Sequence, residues 1–234
     1  MKKIHGVFCV AVLLIAAMVT FIGCGSPGDG SSDDSLTGGA FGKAKYAIGD
    51  TGPGGGIIFY YNKQGFTVGT VMDGVYNGET YHYLEAAPAD IGTTPKSSGK
   101  GILLAWSSGG IYDDYHIPGP WMNGIGLGYA FTEAILAVDT AAPAALACRN
   151  ATYGGKTDWF LPNHNELERM YKNRATIGGF ANARYWSSTQ SNSDDYRSNG
   201  WSAFTSDFGG NYIYGSYVNL YKWKTYYVRA IRAL

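Results

Sequence analysis

Cysteine is nearly absent from this chain. Three occur in 234 residues, and beyond Cys24 only Cys148 remains. No disulfide can close within the C-terminal part, so its core must hold by packing alone. Charge is sparse too: charged residues are 15% of the chain and the formal net charge is zero. There is no basic stripe to neutralise phosphates, and nucleic acid is excluded as an expected partner. Asp113-Asp114 and Asp194-Asp195 are neighbours in sequence rather than facing pairs, and make poor acid–base dyads. His82, His116 and His164 have no partner at metal-ligand spacing. Gly52-Pro53-Gly54-Gly55-Gly56 leads into a strand-like stretch rather than a helix, and no Gly-Lys-Ser/Thr follows, which argues against a phosphate loop. No catalytic set, metal or cofactor is expected, and the chain reads as a non-enzyme.

Aromatic residues are what it has in quantity: 19 Tyr, 10 Phe and 6 Trp. The tyrosines concentrate in the last fifty-one residues, 184–234. That region opens on Tyr185-Trp186-Ser187-Ser188-Thr189 and closes on Tyr226-Tyr227-Val228-Arg229-Ala230-Ile231-Arg232, both read as strands. Between them, residues 191–199 are small and polar, and residues 211–221 carry Tyr212, Tyr214, Tyr217 and Tyr221 among Asn, Gly and Ser. Tyrosine for rigid amphipathic area, with Ser, Gly and Asn for adaptable hydrogen bonds, is the mixture recognition surfaces favour. A tyrosine-rich sheet with polar loops accounts for the composition equally well.

Residues 1–24 read as a targeting segment: Lys2 and Lys3 supply positive charge, and residues 7–22 form an apolar run short for a membrane span. Phe21-Ile22-Gly23-Cys24 resembles a bacterial lipoprotein signal, which implies lipidation of Cys24. An uncleaved anchor or an ordinary signal peptide would look similar. Residues 25–45, rich in Gly, Ser and Asp, read as a flexible linker. Residues 46–234 carry no further boundary signal and are long enough for one domain with a sizeable core.

Within that domain, strands are predicted at 57–61 and 81–87. Helices are predicted over 129–138, from Pro143 through Cys148, and from Asn163, where Glu166 three places on completes a capping box. Leu167, Met170 and Tyr171 then share one helix face. Cys148, among Ala144, Ala145 and Ala147, reads as a buried inert thiol. His164 reads as a solvated residue at the third helix start. With helices grouped centrally and strands on both sides, the fold class is α+β.

Six blocks, in order, carry a resemblance: Gly49-Asp50-Thr51-Gly52-Pro53-Gly54-Gly55-Gly56-Ile57-Ile58-Phe59-Tyr60, Tyr83-Leu84-Glu85-Ala86-Ala87-Pro88-Ala89-Asp90, Asp158-Trp159-Phe160-Leu161-Pro162, Glu166-Leu167, Tyr185-Trp186-Ser187-Ser188 and Val228-Arg229-Ala230-Ile231-Arg232. Together they resemble the DUF1566, or Lcl C-terminal, family over nearly all of 46–234. The resemblance implies a C-type lectin fold of the subtype shared with formylglycine-generating enzyme: helices flanking a small twisted antiparallel sheet, with irregular loops. The Glu-Pro-Asn and Gln-Pro-Asp tripeptides of calcium-dependent sugar binders are missing, although an oxygen-only calcium site in the loops stays open.

The lipoprotein start and the polar C-terminal stretches are also similar to the variable proteins of treponemal diversity-generating retroelements. There, adenines of a template are randomised on copying, chiefly in asparagine codons. Such AAC or AAT codons, randomised at their first two bases, never encode Lys, Glu, Gln, Met or Trp, and residues 191–199 and 211–221 contain none of these. Trp201, Lys222, Trp223 and Lys224 cannot arise that way and read as scaffold. The expected function is a surface-displayed, lipid-anchored monomer that binds a protein or glycan through variable positions: Asp194, Asp195, Tyr196, Arg197, Ser198, Asn199, Asp207, Asn211, Tyr212, Tyr214, Ser216, Tyr217, Asn219 and Tyr221. These are expected to share one exposed face, while Trp159, Trp186, Trp201, Val228 and Ile231 are expected to be buried. The alternatives are a formylglycine-generating-like enzyme and a non-variable envelope protein.

Overall fold

A long antiparallel hairpin opens the domain. It consists of β1 (Ile57–Met72) and β2 (Val75–Ala86). The computed structural model describes residues 44–72, 75–92, 101–117, 124–191, 200–210 and 218–234. Both strands run farther than the two short apolar stretches predict. The polar Lys63-Gln64-Gly65 is absorbed as an irregularity between Tyr61 and Phe66, beyond which β-branched residues resume the pairing. β8 (Ile231–Ala233) adds to β2, giving the order β1-β2-β8. β3 (Leu104–Ala105) pairs with β7 (Thr225–Tyr226), and β4 (Arg184–Gln190), β5 (Ser202–Asp207) and β6 (Val218–Tyr221) form a third antiparallel sheet.

The helices fall between the strand-rich ends: α1 (Leu127–Val138), α2 (Pro143–Arg149), α3 (His164–Lys172) and the single turn α4 (Arg174–Ile177). The α+β expectation therefore stands at the level of small antiparallel sheets with few helices. Pro143 opens α2, where its missing N–H costs nothing. α3 starts on the full capping box: Glu166 N–H donates to Asn163 Oδ1 (2.9 Å) and Asn163 N–H donates back to Glu166 Oε2 (2.8 Å). Leu167, Met170 and Tyr171 are buried on the face that the spacing assigns them.

The expected single strand over 226–232 is a correction. The chain leaves β7 after Tyr226 and re-enters a ladder only at Ile231. In between, successive residues bond different neighbours: Tyr227 bonds β4 through Arg184 and Trp186, the Val228 carbonyl accepts from Ile91 N–H, and the Ala230 carbonyl accepts from Ala87 N–H. The segment stitches several elements together instead of lengthening one sheet.

Trp106, Trp159 and Trp186 anchor the core. All three are fully buried, and each indole N–H reaches a carbonyl: Ser187 (2.9 Å), Lys156 (3.1 Å) and Leu104 (2.9 Å). Val228 and Ile231 are buried as expected, and Cys148 lies in the same cluster as Ala144 and Ala145.

The blocks singled out in sequence converge on two polar networks; the side chains of the second are buried, and the first is open to solvent only at Asp158. In the first, Gly54 and Gly56 N–H donate to Glu85 Oε1 (2.9 and 2.8 Å). Arg232 bridges Glu85 (3.1 Å) and Asp158 (two bonds of 2.7 Å). The glycine run is thus an anion nest whose anion is internal. It has no room for side chains at Gly54 and Gly56: a Cβ on Gly54 would lie 2.5 Å from the Trp159 ring, and one on Gly56 1.9 Å from the Ala86 carbonyl oxygen. In the second, Asp90 accepts from Arg229 Nε (2.6 Å) and from the Tyr185 hydroxyl (2.7 Å), while Arg229 also donates to the carbonyls of Ala87 and Gly179. These residues hold loops to sheets; Asp158, the one exposed side chain among them, has both carboxylate oxygens bonded to Arg232.

Candidate ligand-binding face

The third sheet ends in a cluster of exposed rings. Trp201, just before β5, is 44% exposed; Tyr221, at the end of β6, is 45% exposed; Trp223 is 42% exposed. Ser202 pairs with Tyr221, and Lys222 N–H donates to the Trp201 carbonyl (3.0 Å), so Trp201 lies across from the residue between the other two. Tyr221 and Trp223 stack on each other, centroids 4.4 Å apart and planes within 8°. Gly200, beside Trp201, packs against the backbone of residues 114–116, where a Cβ would lie 2.5 Å from the Asp114 carbonyl oxygen. Its φ of +81° also favours glycine. That contact brings Tyr115, 45% exposed, to the same end of the sheet. Large rings left in water at one end of a sheet make this end the candidate binding surface.

Among the expected binding residues, Asp207 and Tyr221 have described side chains, and Asn219 is placed by its backbone in β6, paired with Phe204. Asp194, Asp195, Tyr196, Arg197, Ser198, Asn199, Asn211, Tyr212, Tyr214, Ser216 and Tyr217 lie outside the described residues. Tyr221 is in the ring cluster. Asp207 is not beside it. It pairs with Arg184 (3.5 Å), accepts from Gly209 N–H (2.9 Å), and sits at the far end of β5, roughly 17 Å away at about 3.4 Å per residue.

Trp201 corrects the expectation of a buried side chain. The space beneath this end of the sheet is taken by the Trp106 ring and the stem of Lys222, which is fully buried. Lys222 Nζ sits 4.6 Å from the Trp106 ring centroid and donates to the Tyr115 carbonyl (2.7 Å) and Gln190 Oε1 (3.0 Å). Burial pulls this ammonium down to about 8, while Asp113, Asp114 and Asp139 pull it back up. Sequence reasoning placed Trp223 with the scaffold, and no strand alternation over 221–224 could have placed it otherwise, because residues 222–224 form a turn. β6 ends at Tyr221, and the turn that follows, closed by Lys224 N–H to the Tyr221 carbonyl (3.0 Å), brings the Trp223 ring onto that of Tyr221 in solvent.

The remaining chemistry-bearing side chains are engaged elsewhere. Cys148 is a buried free thiol whose pKa burial pushes up, the opposite of an activated nucleophile. His164 is half-buried rather than solvated, its ring 5.2 Å from that of Phe204, and desolvation lowers its pKa. Glu166 is fully buried; burial pushes its carboxyl up to about 7, against the N–H groups of Asn163, Gly126 and Gly128 that favour the anion. Among the described residues no group of three His, Cys, Asp or Glu is placed to hold a metal ion. A cleft of about 430 Å³ lies along the β1–β2 hairpin, between Glu79, Tyr81, Tyr129, Asp158 and Phe160. Neither Asp207 nor Tyr221 is among its described lining residues, and its Asp158 is held by Arg232.

No protein-family model and no curated protein matches this chain.

Proposed function

We propose that this chain is an exported, lipid-anchored binding protein displayed at the outer membrane or cell surface. Its C-terminal region, on a C-type lectin fold of the formylglycine-generating-enzyme subtype, takes a protein or glycan ligand and is diversified by a retroelement. The observation that carries the reading is the ring cluster of Trp201, Tyr221 and Trp223. It stands at the end of the sheet from which residues 192–199 depart, whereas residues 211–217 join β5 to β6 at the opposite end, and the scaffold beneath is held by the Glu85–Arg232–Asp158 and Asp90–Arg229–Tyr185 networks. Loops that change can leave the fold intact when the fold rests on groups outside them. Trp201 and Trp223, which randomised asparagine codons cannot produce, then serve as fixed anchors beside variable ones. A buried Cys148 with a raised pKa weighs against the cysteine-dependent enzyme alternative.

Screening the protein against arrays of glycans and of purified surface proteins tests the reading. The Trp201→Ser/Trp223→Ser variant is expected to keep its urea midpoint nearly unchanged and to lose at least tenfold in affinity for whatever the natural chain binds. Undiminished binding in that variant overturns the placement of the site. A near-copy of the 3′ coding region, differing at adenines and lying beside a reverse-transcriptase gene, is the genomic counterpart. For the anchor, Cys24→Ser is expected to abolish acylation and shift the protein out of the membrane fraction; unchanged partition would refute it.

A further inference from the structure

The ring cluster is fed by two separate parts of the chain, and one buried side chain joins them. We propose that Lys222 is a positioning residue of the binding face: it holds the 113–117 segment against the third sheet, so that Tyr115 becomes part of the surface formed by Trp201, Tyr221 and Trp223. This rests on the binding reading above and extends the face beyond the C-terminal region.

Four contacts carry the inference. Lys222 Nζ donates to the Tyr115 carbonyl (2.7 Å) and to Gln190 Oε1 (3.0 Å). The same Gln190 oxygen accepts from Ile117 N–H (3.1 Å), so the lysine and the segment share one acceptor on β4. From the other side, Gly200 fits against the backbone of 114–116 with no space for a Cβ. Lys222 itself is locked by its backbone, which bonds Trp201 above and Trp106 below. A fully buried ammonium is costly. The acceptors at Nζ are a carbonyl and an amide oxygen, and Asp113, Asp114 and Asp139 act on it as charges nearby. A side chain retained under that cost, where an apolar one would fill the space, is explained by the orientation that it imposes on the segment. The short segment contributes little apolar burial of its own: Ile117 is buried, but Ile111, Asp114, Tyr115 and His116 are exposed.

Lys222→Met separates this role from a purely structural one. Met fills the stem and removes the ammonium, a change that leaves global stability close to that of the natural chain or raises it. Amide hydrogen exchange of the natural and variant proteins is the readout. At Ile117 exchange is expected to be at least tenfold faster in the variant, while the Trp106 amide, bonded to the Lys222 carbonyl (2.9 Å), stays protected. Gly200→Ala, which presses on the segment from the opposite side, is expected to accelerate the same amide. Unchanged exchange at Ile117 in both variants overturns the proposal, as does equal acceleration at Ile117 and Trp106, which would report general loosening. On the glycan and protein arrays, Tyr115→Ser is expected to weaken binding at least fivefold; full retention removes Tyr115 from the face. The exchange result stands whether or not the arrays yield a ligand, so loss of the binding reading and loss of the lysine strap are told apart.

Discussion

Trp186→Ala is expected to lower stability by about 3–5 kcal/mol, the range for removing a buried aromatic of this size. The indole is fully buried, meets the Tyr226 ring edge-on at 5.0 Å, and donates to the Leu104 carbonyl (2.9 Å). Those two partners belong to β3 and β7, a sheet of only two residues per strand that depends on what packs against it. The loss therefore combines a cavity with the detachment of a small sheet from β4. Urea titration reads it as a fall in the midpoint. Trp201→Ala is the internal contrast: at 44% exposure it is expected to cost within about 0.5–1 kcal/mol. Equal losses at the two positions would mean that Trp201 belongs to the core after all, and the candidate face would lose an anchor.

The difference between those two tryptophans shows where sequence reading works and where it stops. Trp186 lies inside a run of strand formers, and both its neighbours and its burial follow from that pattern. Trp201 lies just before β5, where its carbonyl still accepts from Lys222 N–H (3.0 Å), and its exposure depends on a competitor far away in sequence. That competitor is Lys222, a residue whose charge predicts exposure. Nothing local says that a lysine will be buried against Trp106 with a carbonyl and an amide for partners. The α3 start was legible for the opposite reason: Asn163 and Glu166 satisfy each other within one turn, so the signal and its cause lie within four residues. The glycine run stands between these cases. Its conformation was legible as a turn, and a phosphate role was rejected on the missing lysine and helix. That the nest would be filled by Glu85, about thirty residues on, needed the fold. The same holds for 226–232, whose aromatic and β-branched composition matches a strand while its hydrogen bonds are divided among several partners.

The buried Arg229–Asp90 pair yields a second large effect, with a pH signature. Asp90 is pulled two ways: burial raises its carboxyl above the ordinary value of 3.8, and Arg229 and the Tyr185 hydroxyl draw it back down. Arg229→Met removes the larger opposing partner and leaves a buried carboxylate without its guanidinium counter-charge. Breaking one side of such a pair costs about 3–5 kcal/mol, and that loss is expected at pH 7. Without the guanidinium the folded-state pKa of Asp90 rises farther above its unfolded value. A group raised in this way contributes stability below its unfolded pKa, and that contribution disappears as pH climbs through the folded pKa. The deficit of the variant relative to the natural chain should therefore be smallest near pH 4 and grow toward neutrality. Recovery at low pH stays partial, because the carbonyls of Ala87 and Gly179 lose their donors at every pH. Adding Asp90→Asn to the variant removes the stranded charge and should flatten the pH dependence while restoring part of the midpoint. Urea midpoints of the three proteins at pH 4.5 and 7 decide the matter. A deficit equal at both pH values would show that Asp90 is not the ionised partner of Arg229, and the network would then hold the 228–230 segment through its carbonyl bonds alone.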